Sequence, residues 1–260
     1  MRVEGRYILA ALDGPPAEPA VLHVAGVMGE LLAAPVRPVH VVPGPGLRGE
    51  ARRSAMARVT RGEDGHIVGR PETVLAALAQ GSGASLTILG ASQRGHRPGT
   101  RRGSGTAMAV ARRVACPLML VPPGAEEWIG PRRVVTALDG TGRTAMAAAS
   151  ALSGIASAHT ESTPVHVGKR SGSGMLLDSR GPLDVHLEEA PWAETQARSR
   201  AAGVPAGQRV LQAVADTASD LVVMVWSRRT RGPQGSAVLD VLASTSVPVL
   251  LVPVPIPLAA

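Results

Sequence analysis

Gly90-Ala-Ser-Gln-Arg-Gly-His-Arg-Pro-Gly-Thr-Arg-Arg-Gly-Ser104 lies between the apolar run Leu86-Thr-Ile-Leu89 and the segment Gly105-Thr-Ala-Met-Ala-Val-Ala-Arg-Arg-Val114. The run reads as a buried strand, and the segment from Ser104 onward as a helix. A glycine-rich, basic loop between a strand and a helix N-terminus is where an α/β protein can hold a phosphate. Free backbone N–H groups and the positive end of the helix dipole converge there.

The same alternation extends outward on both sides. Arg6-Tyr-Ile-Leu-Ala-Ala-Leu-Asp13-Gly14 is a β-rich run that ends in a turn signal. Val21, Val24, Ala25, Met28 and Leu32 then fall on one face of an amphipathic helix. Pro38-Val-His-Val-Val42 predicts a second strand, and His66-Ile-Val-Gly69 a third. Between them, Leu47 to Gly65 is polar, Arg-rich and poorly periodic, and reads as a variable connection. Glu72 to Gln80 predicts a helix, with Pro71 suited to its first turn. Pro117-Leu-Met-Leu-Val121 is the last strand of the series. Continuous apolar strands alternating with helices predict a parallel sheet covered on both faces.

After Val121 the series begins again. Arg133-Val-Val-Thr-Ala-Leu-Asp139-Gly140 restates the first strand, with Ala-Leu-Asp-Gly identical in both copies. Pro164-Val-His166-Val167 restates Pro38 to Val41, and Val210 to Ala215 echoes Val74 to Ala79. Leu221-Val-Val-Met224 echoes Leu86 to Leu89, Gly235-Ser236 restates Gly103-Ser104, and Val247 to Pro253 restates Cys116 to Pro122. Collinear matches along the whole chain predict two similar α/β domains, residues 1–124 and 125–260. The Pro/Gly-rich stretch Pro122 to Pro131 has the composition of a linker. The span from Lys169 to Ala202 shows only a candidate strand at Leu183–Leu187.

Composition narrows the function classes. The chain has 260 residues, 45% of them hydrophobic, and almost no aromatics, with no Phe, so its core is built from aliphatic residues and Met. The net charge of +7 invites nucleic acid as a partner. Against it, the basic residues are scattered and lack interleaved aromatics for base stacking, and no recognition-helix or zinc motif occurs. The single Cys116 excludes an internal disulfide and any multi-Cys metal site, and its apolar surroundings predict a buried, inert thiol. The N-terminus has no apolar signal region and no run reaches membrane-spanning length, so a cytoplasmic location with no membrane partner is expected.

With these residues in view, the chain resembles the universal stress protein family in its tandem two-domain form. The family's signature is Gly, two residues, Gly, nine residues, then Gly-Ser or Gly-Thr, between the fourth strand and the last helix. Gly90 and Gly103-Ser104 stand at its first and last positions. The Ala-Leu-Asp-Gly strand ends, the Val-His-Val strands and the Cys-Pro or Val-Pro before the last strands also match, so the resemblance runs nearly end to end. It implies two doubly wound, Rossmann-like parallel sheets of the adenine nucleotide alpha-hydrolase-like kind, packed as an intramolecular pseudo-dimer through their last strands. A homo-oligomer is a further form the family takes.

The resemblance also implies a site for ATP or a related adenine nucleotide at the strand ends of repeat 1. Asp13 would accept hydrogen bonds near the nucleoside, and Val41 would offer backbone groups and an apolar wall to the base. Gly90 would let the backbone approach the phosphates. Gly103, Ser104 and Gly105 would donate N–H groups, and Ser104 its hydroxyl. Each has a structural alternative: Asp13 as a turn former, Ser104 and Ser236 as helix N-caps, Gly103 as a packing glycine. Arg94 to Arg102 either neutralise phosphate or form a solvated basic loop. His40 and His166, with no partner at ligand spacing, read as structural.

Two departures bear on the site. The signature's second glycine falls at Gln93, although Gly95 and Gly99 offer permissive backbone nearby. In repeat 2, Val225 replaces the first glycine, the loop to Gly235 is shorter and Trp226 stands at its entrance, which predicts a degenerate second site. No nucleophile–His–acid set, P-loop lysine or HExxH occurs, so no enzyme activity and no metal ligand set are expected. The resemblance therefore implies a regulatory or protective stress-response protein. The alternative is a nucleotide-free interaction scaffold that keeps the fold without the pocket.

Overall fold

The computed structural model describes residues 6–13, 17–42, 60–61, 67–81, 83–91, 106–139, 141–167, 203–226 and 233–254. Chain contacts divide it into two compact units, Met1–Ile129 and Gly130–Ala260. Unit 1 holds strands β1 (Tyr7–Leu12), β2 (Val36–Val42), β3 (Thr60–Arg61), β4 (Ile67–Val68), β5 (Ala84–Gly90) and β6 (Leu118–Val121). Its helices are α1 (Glu18–Leu31), α2 (Pro71–Gly81) and α3 (Thr106–Ala111). Unit 2 holds β7 (Arg133–Leu138), β8 (Glu161–His166), β9 (Leu221–Trp226) and β10 (Val249–Pro253), with helices α4 (Gly142–Ser153), α5 (Ala206–Asp216) and α6 (Pro233–Ser244).

Unit 1 orders its strands β3-β4-β2-β1-β5-β6, and unit 2 orders its own β10-β9-β7-β8. All described pairings within the units are parallel except β3 with β4. The two sheets share a register. Leu12 lies opposite His40 as Leu138 lies opposite His166, and Gly90 opposite Val121 as Val225 opposite Val252. Each strand order therefore repeats the chain's internal similarity. The central strands are buried on both faces: Leu86, Thr87, Ile88 and Leu89 are all within 5% exposure, as are all six residues of β9. Burial on both faces is why these strands are continuous apolar runs rather than alternating ones.

Two prolines sit inside strands without breaking them. Ile8 N–H donates to the Pro35 carbonyl and Glu161 N–H to the Arg132 carbonyl, so odd-numbered residues of β2 and β8 turn their backbone groups toward β1 and β7. Pro38 and Pro164 are even-numbered, and the N–H each lacks would have pointed away from those ladders.

Several expectations are corrected. Cys116 lies in a bend ahead of β6, half-buried, with its Sγ 3.2 Å from the Thr87 hydroxyl, and not inside an apolar strand. Ser236 is no N-cap: α6 starts at Pro233, whose missing N–H suits the first helical position, so Gly235 and Ser236 lie within its first turn. His40 is exposed despite its apolar neighbours. The helix expected over Gly105–Val114 is described from Thr106 to Ala111, and helix α4 was not foreseen. The connection Leu47–Gly65 lies mostly outside the described residues, as does the candidate strand Leu183–Leu187.

Helices α1 and α5 close with the same C-terminal turn. Ala33 and Ala218 take φ of 47° and 45°, Ala34 N–H bonds the Gly29 carbonyl, and Ser219 N–H bonds the Val214 carbonyl. At the position in unit 1 that corresponds to Ala218 stands Gly83, with φ of 72°. Ala218→Gly should therefore raise stability by about 0.5–1 kcal/mol, because it relieves the Cβ clash of the left-handed conformation. Urea unfolding reads this directly, and an unchanged or lower midpoint would contradict it.

Candidate functional site

In a parallel sheet, ligands collect outside the carboxyl ends of the strands. In unit 1 that edge carries three of the residues expected at a site, Asp13, Val41 and Gly90, on the neighbouring strands β1, β2 and β5. The register sets their places. Leu12 pairs with His40 and Ala11 with Leu89, so Asp13 is one step past the end of β1, Val41 one step past the last β1–β2 pair, and Gly90 level with Leu12.

Val41 is buried at 8% exposure, and its backbone faces β1. The equivalent residue of unit 2 shows the bond this makes: Val167 N–H donates to the Leu138 carbonyl at 2.7 Å. The Val41 carbonyl, turned to the same side, lies past the last rung of the β1–β2 ladder. Asp13 is exposed, and no described residue gives it a hydrogen bond. A carboxylate and a strand-end carbonyl are both acceptors. They suit the amino and hydroxyl donors of a nucleoside and not its phosphates.

Gly90 has a packing reason of its own. A Cβ there would stand 2.9 Å from the Ala17 Cβ and 3.6 Å from Val21 Cγ2, so the bare Cα seats the start of α1 against β5. Strand alternation puts this face of Gly90 on the side opposite the Val41 side chain. Gly103, Ser104, Gly105 and Gln93 lie outside the described residues. Among the described residues no cluster of His, Cys, Asp or Glu could hold a metal ion, and no helix is long and apolar enough to cross a membrane.

Unit 2 answers the same sequence differently. Asp139 Oδ1 accepts hydrogen bonds from the Thr141 N–H at 2.9 Å, the Thr141 hydroxyl at 2.8 Å and the Thr144 hydroxyl. Thr141 is itself the N-cap of α4, accepting from the Thr144 N–H. The aspartate is thus consumed in starting a helix. In unit 1 the residue two after Asp13 is Pro15, which has no N–H to donate, so the corresponding turn bond cannot form. Where unit 1 has Gly90 and Ala91, unit 2 has Val225 and Trp226, exposed by only 5% and 2%. The Thr141 and Thr144 roles were missed in the sequence, although a threonine before an alanine-rich run is a helix-start signal.

Residues 47–122 match the model of the universal stress protein family. No curated protein matches the chain by sequence. A universal stress protein from Archaeoglobus fulgidus DSM 4304 is similar in structure, with a TM-score of 0.55 at 12% identity over 96% of both chains. A functionally unknown protein from Pseudomonas aeruginosa PAO1 is similar too, with a TM-score of 0.53 at 16% identity over 96% of this chain and 93% of that one. These likenesses establish the fold, and the family rests on the matched segment, which runs from the connection after β2 to the end of β6. Residues 47–122 thus carry a universal stress protein family match, and along its length the chain shares the α/β fold of these structures.

Proposed function

We propose that the chain is a cytoplasmic stress-response protein of regulatory or protective role, with two family repeats, residues 1–124 and 125–260. In this reading it binds one adenine nucleotide, ATP or a close relative, in unit 1 and none in unit 2. The observation that carries the reading is the contrast between two identical Ala-Leu-Asp-Gly strand ends. Asp139 is tied to Thr141 and Thr144, whereas Pro15 denies Asp13 the same turn bond and leaves its carboxylate exposed. Asp13 and the Val41 carbonyl would take the nucleoside, and Gly103, Ser104 and Gly105, just before α3, would take the phosphates. Bound nucleotide supplies an occupied state distinct from an empty one, and no residue set here argues for turnover.

The nucleotide-free scaffold stays as a second reading for a specific reason. Packing against Ala17 already requires Gly90, so that glycine persists without any ligand. Calorimetric titration with ATP separates the two. The first reading expects one nucleotide per chain, roughly tenfold weaker binding in Asp13→Ala, and none in Gly103→Val with the fold intact. No heat at millimolar ATP, and no nucleotide released on denaturing the purified protein, would establish the scaffold.

A further inference from the structure

Among the described residues, methionine is a core residue at every position but one. Met28, Met108, Met119 and Met224 are exposed by 1%, 6%, 0% and 2%, whereas Met146 on α4 is exposed by 76%. It sits on the outer side of a helix whose buried residues are Thr144 and Ala148. Gly142, Arg143, Ser150 and Ser153, also exposed, share its side of the helix. Arg143, one turn earlier, is the one large side chain among them, and Met146 stays 76% exposed beside it. A four-atom flexible apolar side chain gains nothing from that position by burial, and its sulfur lone pairs face solvent.

We propose that Met146 is a site of reversible sulfoxidation by small peroxides. The sulfur attacks the nearer peroxide oxygen and the O–O bond breaks. The sulfide is oxidised to the sulfoxide, and the peroxide is reduced to water or an alcohol, which takes the proton. The change converts the largest apolar group on this face of α4 into a polar one. It leaves the helix in place, because the helix is held from its other side and from its start. Thr144 and Ala148 are buried, and Asp139, Thr141 and Thr144 form the cap. The surface therefore carries a record of peroxide exposure that does not require the fold to open.

Limited hydrogen peroxide treatment of the full chain, followed by tryptic peptide mapping, tests this. The peptide Thr144–Lys169 contains Met146 as its sole methionine, so its oxygen adduct is unambiguous. The adduct is expected to form at least about tenfold faster than those on Met28, Met108, Met119 and Met224, since susceptibility follows exposure. The circular dichroism melt should stay unchanged, and a methionine sulfoxide reductase should remove the adduct. Met146→Leu should lose that adduct and keep the melt. Equal oxidation rates at Met146 and the four buried methionines would overturn the proposal. So would a melt that collapses as Met146 oxidises.

Discussion

Trp226→Ala is expected to destabilise unit 2 by about 3–5 kcal/mol, the range for deleting a large buried aromatic that leaves a cavity. The indole ends β9 at 2% exposure, with Val225 before it at 5%. Its backbone is also committed, since the Val254 N–H donates to its carbonyl at 3.0 Å. In unit 1 the same place after the strand is taken by Ala91, half-buried. The two units thus fill one structural position with a methyl group and with an indole, and only the second is part of a packed core. Urea unfolding followed by far-UV circular dichroism should show the transition of unit 2 moving to lower denaturant. A midpoint shift equivalent to less than about 1 kcal/mol would mean that neighbouring side chains collapse into the space, as some large-to-small sites do. The substitution should not create a nucleotide site, because Asp139 stays bonded to Thr141 and Thr144. ATP stoichiometry in the variant should therefore be unchanged from the parent chain.

Much of the fold is legible in the sequence because the strands are buried on both faces. Such strands must be nearly continuous in Val, Leu, Ile and Met, and Leu86–Leu89, Leu118–Val121 and Leu221–Trp226 are. Helix α4 escapes for the opposite reason. Its Ala, Ser and Thr residues present no apolar stripe, and burial of Thr144 and Ala148 leaves no periodic contrast to detect. The two-residue strand β3 is too short to leave a pattern, and its antiparallel pairing with β4 depends on spatial neighbours. Ser236 misleads because a Gly-Ser pair resembles a cap, while the proline two residues before Gly235 starts the helix earlier.

The candidate site divides along the same line. That Asp13, Val41 and Gly90 share a sheet edge follows from strand order, which the repeat and the parallel topology imply. What each does there does not. Gly90 is required by Ala17, a residue far from it in the chain, so its packing role is invisible in a linear motif. The split between Asp13 and Asp139 is, by contrast, written locally. Pro15 follows one and Thr141 the other, and only an N–H at that position can close the turn onto the carboxylate. Identical four-residue strings therefore end in different chemistry because of the fifth residue, which no strand pattern weighs.

Local chemistry and distant packing pull in opposite directions at Gly207, near the start of α5. By helix propensity alone, Gly207→Ala should stabilise by about 1 kcal/mol, since glycine is a poor helix former. The tertiary surroundings reverse the sign. A Cβ at Gly207 would lie 2.5 Å from the Asp240 Cβ on α6 and 3.2 Å from the Ala237 carbonyl oxygen. A Cβ is fixed to its backbone and a carbonyl is part of one, so neither can rotate aside, and the two helices must separate. Overpacking of this kind costs about 1–3 kcal/mol and occasionally more. Here it acts where Gly207 and Ala237 are both buried, at the upper end of that range, so a net loss of about 1–2 kcal/mol is expected after the propensity gain is subtracted. The urea midpoint of unit 2 measures it. A second substitution distinguishes crowding from any other cause. Asp240→Gly removes the opposing Cβ, so the double variant Gly207→Ala, Asp240→Gly should be more stable than the sum of the two single losses, with positive coupling of about 1 kcal/mol or more. Strict additivity would show that α5 and α6 have slack at the crossing and that Gly207 is there for another reason.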